Sequence, residues 1–532
     1  MIGEKPQLNG SPSSWQPEAD EIKQRRELAD GLGGPEAVQK HHDQGRLTIR
    51  ERIAGLVDEG SFQEVGKLTG NSTYENGKLV KIVPAPYVMG LAKIDGRPVA
   101  IGGEDFTVRG GTSWGGDRRK GGQGGFVEDL AFNYQIPLVN LIDGSGGTVT
   151  SAKRRGHTVF PGVHGFERSV ELMGYVPVVS AVLGTAAGGP AGRAILSHWS
   201  VMVQQTSQVF AAGPPVVKRS LGQDVTKEEL GGSRVAVNAA GTIDNVAESE
   251  EACLQMVRRY LSYMPQNVYE LPPRVAIDDP ADRADEELLS VVPRDRRRPY
   301  NMYKLVEMIV DRGSLFDIQP TFGRSVITAL ARMNGYVVGI VANNPMVMGG
   351  AIDSKAARKQ THFIDLCDCF HIPVIFLVDV PGFMVGTQAE AEATLREGMR
   401  CVYTCAQATV PIYTVVIRKC YGMAGMGTTA KNGLDFKIAW PSAEWGSLPV
   451  EGGVAAAYRR EIEKAPDPKA REREIEAELR ALASPFLTAE AFGVEEIVDP
   501  RETRRYLCTF IDAVQGRLKN QLGPKPKFGV RP

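Results

Sequence analysis

The sequence predicts an α/β protein built from two tandem, homologous domains, and three observations predict it. First, an apolar segment ending in Asp occurs twice. It reads Ile-Pro-Leu-Val-Asn-Leu-Ile-Asp at 136–143 and Ile-Pro-Val-Ile-Phe-Leu-Val-Asp at 372–379, an offset of 236. The same offset pairs Asp117 with Asp353, Asp129 with Asp365 and Leu130 with Leu366. Second, short apolar runs alternate with charged, helix-like stretches, which is the pattern of a layered α/β arrangement. Third, glycine is abundant, 59 of 532 residues, about 11% against an ordinary ~7%. It clusters at 102–125, 144–147, 184–192 and 422–427, where backbone must approach backbone or ligand closely.

The elements follow in chain order. Residues 1–18 are polar and predict a disordered tail. Residues 18–57 carry a helical pattern interrupted near Gly31–Pro35. A charged helix at 125–135 precedes a strand at 137–142. A second strand at 177–183 leads into the glycines around Ala186–Gly189 and a helix over 190–205. Residues 271–300 are rich in Pro, Asp and Arg, a composition that suits an exposed linker. The second half repeats the plan with a helix at 355–371 and a strand at 373–378. A strand at 411–417 and a helix over 424–432 follow. Residues 453–483 read as helix, broken at Pro466 and Pro468. The expected domains are therefore 19–275 and 301–532, joined by a linker at 276–300.

Composition excludes several classes of function. Lys+Arg number 62 against 63 Asp+Glu, a net charge of −1, where a dedicated nucleic-acid binder is expected to be basic. No apolar run approaches the ~18 residues of a membrane span. The N-terminus lacks the apolar core of a signal peptide, and a cytoplasmic protein is expected. Seven scattered cysteines without a C-x-x-C pair predict buried free thiols rather than a zinc site. The seven histidines show no metal spacing, and His41 and His42 are expected to be solvated on a polar helix. The basic run 294–298 is expected to be solvated surface.

Familiar side-chain catalysts are missing as well. The sequence has no P-loop pattern. Asp143-Gly144-Ser145-Gly146-Gly147 fails G-x-G-x-x-G at Val149, and neither Ser145 nor Ser197 sits in G-x-S-x-G. What remains is a pair of strand-then-glycine turns, Gly188-Gly189 and Met423-Ala424. A turn opening a helix presents backbone N–H groups without helical partners. Two of them aimed at one point would stabilise an enolate-like oxygen. Tight helix–strand packing by small residues explains the same pattern equally well.

The chain resembles the carboxyltransferase (β) subunits of biotin-dependent acyl-CoA carboxylases, the family of propionyl-CoA and methylcrotonyl-CoA carboxylases. The resemblance runs from about residue 20 to 515. It is carried by Gly45-Arg46-Leu47-Thr48-Ile49-Arg50-Glu51-Arg52-Ile53, Gly60-Ser61-Phe62, Gly213-Pro214 and Glu228-Glu229-Leu230-Gly231-Gly232. Further on come Tyr300-Asn301-Met302, Ala331-Arg332-Met333-Asn334-Gly335, Val380-Pro381-Gly382-Phe383-Met384-Val385-Gly386 and Trp440-Pro441. The resemblance implies two crotonase-like (ββα superhelix) domains and transfer of CO2 from carboxybiotin to an acyl-CoA. The residues matching Gly188-Gly189 would hold the acyl thioester oxygen, and those matching Met423-Ala424 the biotin ureido oxygen. Gly382, Phe383 and Gly386 would line the biotin pocket. A hexameric core is implied, with each site at a dimer interface.

Partners are implied too. None of the 15 methionines precedes a lysine, so the Met-Lys biotin attachment site is missing, and no ATP-grasp region fits in the length. The resemblance therefore implies an α subunit with biotin carboxylase and carrier domains, which alone would use ATP and bicarbonate. Two departures stand out. Where propionyl-type enzymes read Tyr-Gly-Gly-Ala-Tyr-Asp, this chain has Tyr421-Gly422-Met423-Ala424-Gly425-Met426. Gly425 and Met426 are then expected to make a reshaped, more apolar acyl pocket. The family's Gly-Ala-Arg is here Gly146-Gly147-Thr148, followed by Lys153, Arg154 and Arg155. With Arg118, Arg119 and Lys120 these could meet CoA phosphates, or could be solvated surface. No metal is expected. A decarboxylase subunit running the same transfer backwards, and a non-catalytic scaffold, are the rival readings.

Overall fold

The structure is a computed structural model that describes residues 14–112, 120, 125–147, 152–153, 156–158, 166–428 and 436–526. The first half contributes β1 (Gln63–Glu64), β2 (Gly70–Glu75), β3 (Lys78–Pro84), β4 (Tyr87–Ile94), β5 (Arg97–Glu104), β6 (Leu138–Gly144), β7 (Val178–Ala187), β8 (Trp199–Val203), β9 (Gln208–Phe210) and β10 (Asn245–Ala247). The second contributes β11 (Phe316–Ile318), β12 (Val326–Met333), β13 (Tyr336–Asn343), β14 (Val374–Val380), β15 (Ile412–Tyr421), β16 (Phe436–Ala439), β17 (Glu444–Gly446) and β18 (Glu496–Ile497). One sheet runs β1-β4-β5-β6-β7-β8-β10 with β9 against β7. The other runs β11-β12-β13-β14-β15-β16-β18 with β17 against β15. The two orders are the same, as the sequence repeat predicts. β2 and β3 form a separate hairpin.

Each sheet opens with an antiparallel hairpin and continues in parallel. The hairpin turns are Asp95-Gly96 (φ 51° and 76°) and Asn334-Gly335 (φ 51° and 78°). Two consecutive positive φ values make the tight turn whose twist matches the strands. The parallel strands β6, β7, β14 and β15 are almost wholly buried, which is why they read as unbroken apolar runs. The offset between equivalent strands is 239 at β5 and β13, 236 at β6 and β14, and 234 at β7 and β15.

The halves share a core. Trp199 of β8 stacks on Tyr260 at 4.8 Å and meets the edge of Phe316 in β11 at 5.5 Å. Asn245 Nδ2 donates to Asp317 O at 3.0 Å, and Gln319 Nε2 to Asp244 Oδ1 at 2.9 Å. One continuous apolar cluster therefore includes Trp199 and Val201 together with Phe316 and Phe363.

Several elements differ from the sequence expectation. The helix expected over 190–205 stops at Ile195, and Trp199–Val203 is a buried central strand. The helix expected over 424–432 spans Gly422–Met426, and residues 429–435 lie outside the described ones. Residues 16–18 of the expected tail already belong to the helix Gln16–Asp30. His41 is buried rather than solvated; its Nε2 lies 3.1 Å from Leu47 O, and burial lowers its pKa to about 4. His42 meets Glu51 Oε2 at 2.9 Å. The 276–300 stretch is irregular but fastened: Arg283 donates to Met308 O and Val310 O, and Leu288 and Tyr300 enter the second core. All seven cysteines are free thiols, six of them buried.

Candidate active site

β7 and β15 are both ten residues long, and each is followed by a glycine with positive φ. Gly188 has φ 61° and ψ −118° and caps the helix Gly189–Ile195. Gly422 has φ 62° and opens the five-residue helix Gly422–Met426. No L side chain tolerates this backbone without strain, so glycine is required. The neighbouring strands match too. The β6/β7 register shifts between Ile142 and Gly144, and the β14/β15 register between Val378 and Val380.

The amides at these turns divide as follows. Gly188 N–H points back to Phe210 O of β9 at 3.3 Å. Gly189 is the first residue of its helix, so its N–H has no partner inside the helix, and Pro190 has no N–H. In the second half Met423 and Ala424 stand in the first turn of their helix, where an N–H has no partner inside the helix. Two equivalent strand ends thus each present first-turn amides at a helix start, an arrangement suited to an oxygen that gains negative charge.

Buried ion pairs brace both strand ends from below. Asp143, fully buried at the end of β6, takes Arg46 and, at 2.9 Å, Arg52. Arg52 also grips Glu250 through two 2.7 Å bonds and donates to Leu183 O in β7. A Cβ at Gly184 would collide with Asp143 and Arg46, so this residue stays glycine to admit the pair. The Gly45–Ile53 motif is thereby explained. Arg46 and Arg52 hold Asp143, while Thr48 and Glu51 form the capping box of the helix Ile49–Leu56. In the second half Asp379 takes Arg418 at 2.9 Å and Lys419 Nζ at 3.5 Å. Arg418 lies over the Tyr300 ring at 4.9 Å.

Sequence reasoning missed the groups that steady the short second helix. Gly427 O, at its end, accepts from Gln360 Nε2 at 3.3 Å and Cys405 Sγ at 2.7 Å. Thr428 Oγ1 donates to Gly425 O at 2.9 Å, and Thr414 Oγ1 of β15 to Thr428 O at 3.1 Å. A hydrogen bond involving Cys401, then burial, holds the Cys405 thiol well above its ordinary pKa, so it remains a donor. Ser180, the equivalent of Thr414 in β7, reaches Arg193 O at 3.4 Å, and Ser197 Oγ reaches the same oxygen at 3.0 Å. A helix of five residues has almost no intrinsic stability, so these external bonds fix it. Their only sequence signal is the buried hydroxyl repeated at 180 and 414.

The other expected residues divide between the two sheets. The 381–386 loop follows β14, beside the Met423-Ala424 turn that follows β15. It is stapled by Ile352 N–H to Gly382 O at 3.2 Å and Met384 N–H to Ile352 O at 2.9 Å. Gly382 and Gly386 have φ 143° and 111°. The Phe383 ring occupies the space above Gly398, where a Cβ would lie 2.7 Å from it. Met423 and Met426 are exposed. A Cβ at Gly425 would lie 2.7 Å from Cys420 Sγ, so its smallness serves helix–strand packing. Lys120 donates to Gly66 O at 2.6 Å, and burial lowers its pKa to about 8. Lys153 is exposed, and Arg118, Arg119, Arg154 and Arg155 lie outside the described residues. Among the described residues no cluster of His, Cys, Asp or Glu could hold a metal ion, and no helix is long and apolar enough to cross a membrane.

The carboxyl transferase domain matches residues 40–529. The chain belongs to the carboxyl transferase domain family. Its two crotonase-like halves and its class, a carboxyltransferase subunit of biotin-dependent acyl-CoA carboxylation, go with that membership. It is 35% identical to the carboxyltransferase subunit of propionyl-CoA carboxylase from Haloferax mediterranei, over 96% of this chain and 98% of that protein. It is 33% identical to the methylmalonyl-CoA decarboxylase subunit alpha of Propionigenium modestum, over 96% and 98%. Among solved structures, transcarboxylase 12S, a hexamer seen with methylmalonyl-CoA and methylmalonic acid bound, superimposes with TM-score 0.86. It has 32% identity and covers 98% of this chain and 99% of its own.

Proposed function

We propose that this carboxyl transferase moves CO2 from a biotin group on a separate carrier subunit to the α, or vinylogous, carbon of an acyl-CoA. The observation that carries this reading is the pair of equivalent strand–glycine–helix turns that place Gly189, Met423 and Ala424 in the first turn of a helix. Biotin, when bound, brings the CO2 and accepts the proton lost by the acyl-CoA. The chain's own part is electrostatic. The Gly188-Gly189 turn holds the thioester oxygen as it gains charge, and the Met423-Ala424 turn holds the ureido oxygen. Two adjacent first-turn amides fit a ureido oxygen, which accepts two hydrogen bonds. Gly382, Phe383 and Gly386 line the biotin side, and Met426 faces the acyl side. Lys120 and Lys153, with Arg118, Arg119, Arg154 and Arg155, supply the charge for the CoA phosphates. The partner is a biotin carboxylase and carrier subunit that alone consumes ATP and bicarbonate. The chain forms a hexameric core in the cytoplasm, with each site shared between copies.

The test is a pull-down of the chain from its native lysate, probed with streptavidin and followed by ATP-dependent carboxylation of an acyl-CoA panel. A stoichiometric biotinylated partner carrying biotin carboxylase is expected. The similarity to a decarboxylase subunit keeps a second reading, the same transfer run backwards. A small biotinylated carrier recovered with membrane subunits would establish it. Absence of any biotinylated partner despite good recovery would leave a non-catalytic scaffold.

A further inference from the structure

The second turn adjoins an apolar cavity that the reaction chemistry does not use. β17 pairs with β15 through Lys419–Glu444, Cys420–Trp445 and Tyr421–Gly446. The chain then runs directly against the turn, since a Cβ at Gly422 would lie 3.3 Å from Ser447 O. From there it enters the helix Val450–Ala457, which packs on the long helix Pro468–Leu482. Between the two lies a cavity of about 610 Å³ lined by Trp445, Leu448, Val450, Tyr458, Leu479 and Leu482, with no charged side chain in its wall. Its volume falls within the range of about 300–1,000 Å³ seen for small-molecule sites. The charges stand outside it, where Arg480 straps the two helices together by a 2.6 Å ion pair with Glu451. Leu448 in the cavity wall is 60% exposed, and Met423 and Met426, on the helix of the adjoining turn, are 47% and 62% exposed. Three large apolar side chains in the open, beside a concave apolar wall, mark a surface built to be covered.

We infer that this cavity receives the acyl chain of the substrate, and that the substrate is a medium- or long-chain apolar acyl-CoA rather than a propionyl-sized one. The inference rests on the carboxyltransferase reading. With each site shared between copies, the thioester held at the first turn of one copy would face the second turn of its neighbour, and the acyl chain would cross Met426 and Leu448 there and lie between Trp445 and Leu482. Burying one methylene contributes about 0.8 kcal/mol, or roughly fourfold in affinity. A few buried methylenes therefore separate a twelve-carbon from a three-carbon acyl group by a hundredfold or more.

The test is equilibrium binding of CoA, propionyl-CoA and dodecanoyl-CoA to the full chain, with Ala457→Phe and Leu482→Asp as variants. Ala457 lines the cavity, and Leu482 lines it while being 70% exposed, so neither change strikes the sheet core. Dodecanoyl-CoA should bind at least a hundredfold tighter than propionyl-CoA. Each variant should remove at least tenfold of that difference and leave propionyl-CoA binding unchanged. Equal affinities for the two acyl-CoAs would overturn the inference while the carboxyltransferase reading stands. A length preference untouched by both variants would also overturn it, because the chain then lies elsewhere. So would a change in oligomeric state alone, since the cavity would then be filled by a second copy. Failure to bind any acyl-CoA would overturn the carboxyltransferase reading itself.

Discussion

Replacing Gly188 by alanine separates the oxyanion role of the first turn from simple packing. A Cβ at 188 meets nothing within 4 Å, so the substitution adds no clash. Its effect comes through the backbone. At ψ −118° Gly188 sets the plane of the peptide that carries Gly189 N–H. The left-handed well open to alanine lies near ψ +30 to +60°, so relaxation turns that plane by roughly 150–180° and aims the amide away. Holding the native angles instead costs about 1–3 kcal/mol of strain. Loss of one oxyanion donor costs about 2.7–4 kcal/mol, or 10²–10³ in kcat. The assay is steady-state carboxylation by the chain complexed with its carrier partner. Gly77→Ala is the control: Gly77 has φ 77°, also with nothing within 4 Å, in the turn of the separate β2–β3 hairpin. Both variants should lose similar thermal stability, and only Gly188→Ala should lose kcat by a hundredfold or more. Turnover within threefold of the parent for Gly188→Ala would refute the oxyanion assignment and leave packing as the explanation.

Other outcomes follow from the same geometry. Cys405→Ala removes a donor to Gly427 O and should lower kcat about fivefold, from roughly 1 kcal/mol for a hydrogen bond. Cys405→Ser keeps the donor and should restore it, with KM for acyl-CoA nearly constant in both. Arg52→Met leaves Glu250 and part of the Asp143 charge buried without its partner and should destabilise the first half by about 3–5 kcal/mol, read by denaturant unfolding. Met426→Asp should shift the acyl-CoA preference toward short chains, and an unchanged chain-length profile would dismiss its role in the pocket. Glu128 is fully buried, and that burial raises its carboxyl to about 7. The folded state then holds a proton the unfolded state releases, so stability falls as pH rises from about 4.5 to 7. Glu128→Gln should flatten that slope in thermal melts at pH 5 and pH 8.

The sheet cores and the duplication were legible because buried parallel strands must be apolar, and their length recurs in both halves. The two glycine turns were legible because positive φ admits little else. The strand Trp199–Val203 was not. Its apolar run, Trp-Ser-Val-Met-Val, follows a helix within four residues, and periodicity alone does not separate a buried strand from a buried helix. His41 was misjudged because its neighbours are polar. It turns inward against Arg46 and Phe106, the ring lying 6.1 Å away. The clamp on Gly427 was invisible for another reason. Gln360, Cys405 and Gly427 are 67 and 22 residues apart along the chain, and only the packing of two helices over β15 brings them to one carbonyl. The Gly425 packing against Cys420 likewise needed coordinates, because the residue type alone also suits an open pocket.

The shrinking offset between equivalent strands, from 239 to 236 to 234, shows where length has been free to drift since the two halves were copies. Three residues separate the halves in the span after β5 and β13, and two more in the span after β6 and β14. Within β4, β5, β6 and β7 no strand differs in length from its counterpart. A single insertion inside a strand would turn every later side chain to the opposite face, so gains and losses survive only between strands. Those spans cross the ends that carry the turns. The pairs of strands thus act as a gauge of tolerated change, and loop grafting between relatives should succeed there and fail one residue inside the ladder.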